Sequence, residues 1–545
     1  MADRWYRNAV LYCLDVETFQ DSDGDGVGDL RGLISRLDHL TRLGVTCLWL
    51  NPVHPSPRRD GGYDVADFYA VDPRFGTLGD FAELVHQAAD RGLRVMIDLV
   101  VNHTSDQHPW FRSARSSRDS PYRDWYVWSD TEPSDRTQGV VFPGEQEETW
   151  TWDDTAGAWY YHRFYDFQPD LNAANPEVQA EIERIMDFWL DVGVAGFRMD
   201  AAPFVIELTR PDDPSSPKDF DLLTRYRERL SWRRGDAVVL AEANVPDDEL
   251  PHYFGDAGGS ANRLHMLFDF VLSVNCLLAL ARQEAGPVVR ALASQPAVPN
   301  HAAWATFLRN HDEVDLSRLG PGEMAECFAA FGPEPDMQLY GRGIRRRLAP
   351  MLDGDQARLR LAYSLQFTLP GTPVLRYGEE IGMGDDLSLP DRESLRTPMQ
   401  WSDVAHGGFT TAREPVRPVV AEGRYGYPAV NVSAQQRDPD SLLRWFQSML
   451  HTLRECPEVG SGRCTTVPAG DPAVLAHRMD AGSGSVLFLH NLGRAGVRVD
   501  VGRPEDAQVD PLELFADRDY PAPDRSLQGL ELGPCGYRWI RLRRA

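Results

Sequence analysis

The sequence predicts an α/β fold: a (β/α)8 barrel, the TIM-barrel architecture, with an inserted subdomain and a C-terminal antiparallel β-sandwich domain. Three observations predict it. Apolar β-rich runs alternate with helical patterns from the N-terminus to about residue 455. That alternation breaks once, after the third run, where residues 104–170 turn rich in Trp, Tyr, Asp, Ser and Pro. From about residue 456 the pattern changes to short strands separated by Gly and Pro turns. Near-continuous apolar strands belong to a sheet covered on both faces, and eight of them alternating with helices favour a closed barrel.

The barrel strands are expected at 9–16, 45–53, 94–103, 196–201, 237–243, 266–270, 304–311 and 373–378. Helices are expected between them at 30–43, 78–91 and 176–192. The last starts with Asn175 as N-cap and Pro176 at the first helical position, and sets Val178, Ile182, Ile185, Met186, Trp189 and Leu190 along one face. The domain boundaries follow: residues 1–103 and 171–455 for the barrel, 104–170 for the insertion and 456–545 for the C-terminal domain. An insertion of that length between a strand and its helix should stand over the strand mouths. A second irregular stretch, 312–356, carries a short helical run at 344–349. Ser485–His490 and Tyr537–Ile540 read as strands of the last domain.

Four runs are apolar at their start and polar at their C-terminal end. They are Asp98-Leu-Val-Val-Asn102-His103, Gly196-Phe-Arg198-Met-Asp200, Leu240-Ala-Glu242-Ala-Asn244 and Phe307-Leu-Arg-Asn-His311-Asp312. In a parallel barrel that end is where active-site side chains gather. Asp200 and Glu242 terminate consecutive strands, which suits the paired carboxyls of a retaining glycosidase, roughly 5–5.5 Å apart. Asp200 is then the nucleophile and Glu242 the acid/base. Arg198, two residues before Asp200 on the same strand face, keeps that aspartate ionised. Asp312, His103 and His311 would hydrogen-bond sugar hydroxyls.

These segments resemble the conserved regions of the α-amylase superfamily, glycoside hydrolase family 13, and the likeness spans essentially the whole chain. It implies a barrel, an inserted subdomain B and a C-terminal β-sandwich, with Asp200 as nucleophile, Glu242 as acid/base and Asp312 as transition-state stabiliser. Gln168-Pro-Asp170-Leu-Asn172 is similar to a further family region. Gly62-Tyr63-Asp64 resembles the segment whose Asp binds the nonreducing glucose, and Arg396-Thr-Pro-Met-Gln-Trp401 a segment whose arginine pairs with that Asp. Phe167, beside Gln168, is the expected aromatic pocket wall, while most aromatics of the insertion are expected to form its own core.

Outside the catalytic segments, Val101–Phe111, Arg123–Asp130, Gly343–Pro350 and Glu380–Asp385 resemble the trehalose synthase subfamily. That implies isomerisation of maltose and trehalose through a covalent glucosyl–Asp intermediate, in a pocket closed to water. The alternatives are an exo-acting α-glucosidase or α-glucosyltransferase on small α-glucosides and, in another class, a noncatalytic sugar-binding relative. The retained trio of acids stands against the last. Departures from the subfamily pattern fall at strand mouths: Leu14-Asp-Val-Glu-Thr-Phe19 for Leu-His-Val-Arg-Ala-Phe, Pro52-Val-His-Pro-Ser-Pro57 (preceded by Asn51) for Pro-Phe-Tyr-Pro-Ser-Pro, Arg376-Tyr-Gly378 for Tyr-Tyr-Gly, and Arg210-Pro-Asp-Asp213 after the fourth strand. Arg376 is expected to be either a substrate contact or a salt-bridge partner inside the barrel.

Asp21-Ser-Asp23-Gly-Asp25-Gly-Val27-Gly-Asp29 sets oxygen ligands on alternate residues, with Gly26 easing the turn, like the start of an EF-hand loop. The twelfth-position glutamate of such a loop is replaced by Gly32. A structural Ca2+, or Mg2+, is expected on Asp21, Asp23, Asp25, Asp29 and the Val27 carbonyl. Resemblance to trehalose synthases implies a second Ca2+ set: Asn102, Asp170, Glu207 and the carbonyls of Phe204 and Val205. No organic cofactor is expected.

The net charge of −26 repels nucleic acid and anionic lipid, so neither is an expected partner. Seven cysteines, at 13, 47, 276, 327, 456, 464 and 535, show no Cys-x-x-Cys spacing, which suits reduced thiols in a cytoplasmic enzyme. The expected partner is a small α-glucoside such as maltose or trehalose, with homo-oligomerisation left open.

Overall fold

The structure is a computed structural model describing residues 4–210, 216–255, 262–482, 484–502 and 509–544. Residues 211–213 of the departure after the fourth strand lie outside the described residues. Among the described residues no helix is long and apolar enough to cross a membrane.

Eight parallel strands close into a barrel in sequence order: β1 (Leu11–Leu14), β2 (Cys47–Leu50), β3 (Arg94–Leu99), β4 (Gly196–Met199), β5 (Val238–Ala241), β6 (Met266–Phe268), β7 (Ala303–Thr306) and β8 (Thr372–Arg376), with β8 pairing back onto β1. All eight predicted strands form. The polar ends of the long predicted runs lie beyond the paired residues, on the mouth loops. The barrel interior is filled by Leu11, Cys13, Cys47, Trp49, Met96, Leu240, Met266, Phe268 and Ala305, all buried.

The helix Pro176–Val192 buries all six residues of its predicted face, and the Asn175 side chain accepts from the Glu177 N–H as its cap. The expected helix 30–43 is two helices, Leu30–Ser35 and Leu37–Leu43. The break is at Arg36, whose guanidinium turns in over the Trp401 ring at 4.2 Å.

Between β3 and Pro176 the chain builds a three-stranded antiparallel sheet (Trp128–Ser129, Ala158–Tyr161, Trp150–Asp153) over a small aromatic core of Phe111, Tyr126, Trp128 and Tyr160. It also holds a helix, Pro109–Ser116, which the polar composition hid; His108 caps it and Pro109 starts it. The run expected to be helical at 344–349 is divided. Gly343–Ile344 pairs as a strand with Val314–Asp315 and Gln338–Leu339, and helix begins only at Leu348. Pro321–Phe331 forms an unforeseen helix in the same stretch.

The C-terminal domain has a five-stranded antiparallel sheet of β9 (Arg463–Val467), β10 (Val474–Ala481), β11 (Gly484–Asn491), β12 (Val509–Ala516) and β13 (Tyr537–Arg544), in the order β9-β10-β11-β13-β12. A ribbon of Val497–Val499 and Leu530–Leu532 packs on it across Leu487, Leu489, Ile540 and Leu542. All seven cysteines are free thiols, and six are buried.

Candidate active site

Parallel register brings the functional groups together. Asp98 on β3 lies opposite Arg198 on β4, and Met199 lies opposite Ala241 on β5, so Asp200 and Glu242 leave adjacent strands side by side. Gly196 makes that closeness attainable: a Cβ there would sit 2.1 Å from the Val238 carbonyl oxygen of β5. No side chain fits at that contact.

Arg198 is the hub. Its Nη1 donates to Asp98 Oδ1 at 3.0 Å and to Asp200 Oδ1 at 2.5 Å, and its Nη2 donates to Glu242 Oε2 at 2.5 Å. One planar guanidinium therefore holds both candidate catalytic carboxylates within reach of a single sugar ring. Burial pushes the Asp200 carboxyl up to about 6 against the Arg198 charge. Burial pushes Glu242 further, to about 7, with Arg198 opposing and Asp200 adding to the rise. Burial raises both carboxyls, and the Asp200 charge adds to the rise at Glu242, the direction a general acid needs.

Asp312 is the opposite case. Burial alone would raise it, but the charges of Arg392 and Arg396 outweigh that and hold it far below the usual carboxylate range. Arg396 Nη2 is 2.9 Å and Arg392 Nη1 3.3 Å from its Oδ1, and His311 Nε2 is 3.0 Å from its Oδ2. Burial keeps His311 neutral, well below its ordinary pKa, and its Nδ1 has no partner among the described residues. The single ring proton therefore belongs on Nε2, facing Asp312. Tyr63 stacks on His311 at 5.6 Å, and its hydroxyl donates to Asp98 Oδ2 at 3.0 Å and lies 2.7 Å from His311 Nε2. His103 is buried, its pKa lowered to about 4 by that burial, and its Nε2 donates to the Tyr63 carbonyl at 3.1 Å.

Asp200, Glu242, Asp312, Tyr63, His103 and His311 all line one cavity of about 450 Å³, and Arg198 stands beneath it. Four sequence expectations do not: Asp64, Phe167, Gln168 and Arg396. Asp64 is wholly buried, accepting from Ser56 Oγ at 2.6 Å and the Arg59 N–H at 3.1 Å. The cavity wall is made instead by Asp60, whose Oδ2 accepts from the buried Gln168 Nε2 at 2.9 Å. Arg396 accordingly pairs with Asp312 rather than Asp64, and runs so close under Gly61 that a Cβ there would lie 2.5 Å from its Nη1. Phe167 also faces away, stacked on Tyr165 and covered by Arg59 at 4.2 Å; the aromatic walls are Phe164, Phe142, Phe204 and Phe270. Sequence reasoning missed Asp60 because a tight turn, Asp60-Gly-Gly-Tyr63, reverses the loop between the two aspartates, with both glycines at positive φ.

Arg376 touches neither the cavity nor a carboxylate within ion-pair distance among the described residues. It is 2 % exposed, and Nη1 donates to Asn51 Oδ1 at 2.9 Å and reaches Cys13 Sγ at 3.4 Å. Asn51 Nδ2 in turn donates to the Tyr63 hydroxyl at 3.1 Å. Two departures of the sequence thus meet under the tyrosine of the site.

Of the first cation set, Asp21, Asp23 and Asp29 bring carboxylate oxygens within 4.8 Å of one another. No arginine or lysine forms an ion pair with them among the described residues. Asp25 is not part of that cluster; its Oδ1 accepts from the Val27 N–H at 2.7 Å. In the second set, Arg163 stands between the acids: Nη2 donates to Glu207 Oε1 at 2.6 Å, and its N–H donates to Asp170 Oδ1 at 2.9 Å. Asp170 is buried and pushed up to about 7 by that burial.

Barrel, insertion, β-sandwich and this carboxylate set define a glycoside-active enzyme, and the α-amylase catalytic-domain profile matches residues 16–324 and 345–460. The chain belongs to the α-amylase family, glycoside hydrolase family 13. It is 40% identical over 551 residues to the trehalose synthase/amylase of Mycolicibacterium smegmatis, covering 99% of this chain and 93% of that one. It is 41% identical over 544 residues to the trehalose synthase of Thermus thermophilus, covering 99% of this chain and 56% of that one. The crystal structure of trehalulose synthase MutB from Pseudomonas mesoacidophila superposes with a TM-score of 0.79 at 25% identity, covering 100% of both chains.

Proposed function

We propose that the enzyme interconverts maltose and trehalose by double displacement. Asp200 attacks the anomeric carbon of the nonreducing glucose, and the C1–O bond to the second glucose breaks as Glu242 gives its proton to the departing oxygen. A glucosyl–Asp200 ester and free glucose result. The glucose turns within the cavity, its anomeric hydroxyl attacks C1, the proton returns to Glu242 and Asp200 leaves as carboxylate. Asp312, held ionised, and neutral His103 and His311 bind the hydroxyls of the reacting ring.

The observation that carries this reading is the Arg198 hub holding Asp200 and Glu242 inside one lined cavity. The acceptor side supports a neutral partner. Each cavity arginine already has a carboxylate: Arg163 with Glu207, Arg342 with Asp315 and Arg392 with Glu313. Among the described residues lining the cavity, no arginine is left without a carboxylate for a sugar phosphate to take. Carbohydrate NMR of maltose incubated with the enzyme tests it: trehalose should build up, and glucose alone would sink the isomerase in favour of an exo-acting α-glucosidase.

We also propose that Asp21, Asp23 and Asp29, with the Val27 carbonyl, hold a hard cation, Ca2+ or Mg2+, that ties the loop to the barrel. Three converging carboxylates with no arginine or lysine ion-paired to them among the described residues fit such an ion. The second set fits less fully, because Arg163 already supplies positive charge to Glu207; buried Asp170 is the donor that a cation there would stabilise most. Chelation should lower Tm, with Ca2+ restoring it, and a Tm indifferent to chelator would count against the first site.

A further inference from the structure

The two irregular stretches of the chain meet over the cavity. Phe142, from the insertion, packs against two tyrosines whose hydroxyls are 3.4 Å apart, its ring centre 5.0 Å from Tyr165 and 5.0 Å from Tyr340, with interplanar angles of 28° and 30°. Phe142 lines the cavity; Tyr340 does not reach it. Tyr340 sits at the tip of the hairpin formed by Gln338–Leu339 and Gly343–Ile344, beyond Asp312 in the chain. Its φ is +54°, in the left-handed region that a tyrosine avoids unless its surroundings enforce it.

Other contacts hold the same roof. Arg342 Nη2 donates to the Val141 carbonyl at 2.8 Å, and Arg163 Nη1 donates to the Gly139 carbonyl at 3.3 Å. The Arg392 guanidinium is 5.0 Å from the Phe142 ring centre and 5.7 Å from that of Tyr340, while its Nη1 is 3.3 Å from Asp312. The aromatic clamp is therefore joined through one arginine to a carboxylate of the reacting site.

We infer that Tyr340 is a specificity-determining residue: by clamping Phe142 it holds the roof over the acceptor side, and so sets whether glucose or water takes the glucosyl group from Asp200. In either case the C1–O bond to Asp200 breaks, a C1–O bond to the acceptor forms, and the acceptor's proton passes to Glu242. The inference rests on the glucosyl-transfer reading above. Nothing in the stacking restrains bulk water directly; the effect comes from keeping the roof in place long enough for glucose to turn.

The test uses an aryl α-glucoside as donor and isotopically labelled glucose as acceptor, in wild type, Tyr340→Ala and Tyr340→Phe. Aryl alcohol release reports total turnover, and labelled disaccharide against unlabelled glucose reports the partition. In Tyr340→Ala the partition should shift toward water about five- to tenfold, the scale of a lost aromatic pair. Tyr340→Phe, which keeps the ring and loses only the 3.4 Å contact with the Tyr165 hydroxyl, should stay within about twofold of wild type. A Tyr340→Ala enzyme that turns over the donor with unchanged partition overturns the inference. If that variant does not fold, Phe142→Leu takes its place, with the same shift expected and an unchanged partition decisive against. Because the donor is activated, the partition is read even from an enzyme that makes no trehalose from maltose, so failure of the isomerase reading and failure of the clamp are separate results.

Discussion

The floor and the roof of the cavity are built by different physics. The floor is a set of charged side chains on strand ends, tied by hydrogen bonds of 2.5 to 3.0 Å about Arg198. The roof is made of loops, held by stacked rings and backbone carbonyls. Strand register positions the floor within fractions of a hydrogen bond, which bond making demands. The roof needs only to exclude water and to open, and rings that slide apart at modest cost suit that. The comparison predicts that damage to the floor stops the chemistry, whereas damage to the roof redirects it.

The largest effect expected is at Asp200. Asp200→Ala removes the nucleophile and should lower kcat on any α-glucoside by about 10⁴-fold or more. Its circular dichroism should stay native, because the side chain terminates a strand instead of packing in one. Full activity in this variant would remove the covalent route and with it the distinction between floor and roof.

The pH profile is the next break point. Below about 6 Asp200 takes up a proton and stops being a nucleophile, and above about 7 Glu242 loses the proton that the leaving oxygen needs. The plot of kcat/KM against pH should be a narrow bell, with limbs that belong to the pair because the two groups interact. Glu242→Gln should abolish the alkaline limb and slow maltose turnover about 10²- to 10⁴-fold. An alkaline limb that persists in Glu242→Gln would assign that proton to another group.

The floor was legible in the sequence because strand ends carry their chemistry in order. Near-continuous apolar runs ending in Arg198-Met-Asp200, Glu242 and His311-Asp312 locate strand and mouth at once. The roof was not. Phe142 lies in a stretch without period, and its partner Tyr340 is far off in the chain, at a backbone angle that no propensity announces. Arg376 was visible as an oddity, but its place depended on Cys13 and Asn51 meeting it from the first two strands and their ends. In the 21–29 loop the alternate spacing marked four aspartates, of which Asp21, Asp23 and Asp29 converge and Asp25 stands outside the cluster.

The loop 58–64 separates the two kinds of inference most sharply, since family likeness pointed to Asp64 and geometry to Asp60. Asp60 faces the cavity with Gln168 holding one oxygen, which leaves the other for a sugar hydroxyl. Asp60→Asn should lower kcat/KM about 10- to 100-fold, the value of a charge-assisted hydrogen bond, with Tm little changed. Asp64→Ala strips the acceptor from Ser56 Oγ and the Arg59 N–H in a fully buried place, so it should cost about 2 kcal/mol or more of stability. Activity per folded molecule in that variant should fall less than in Asp60→Asn, because a shifted loop still carries Asp60 to the wall. The opposite pattern, a silent Asp60→Asn and a stable but inactive Asp64→Ala, would mean that the loop turns over when sugar binds. The floor would then share the mobility assigned here to the roof alone.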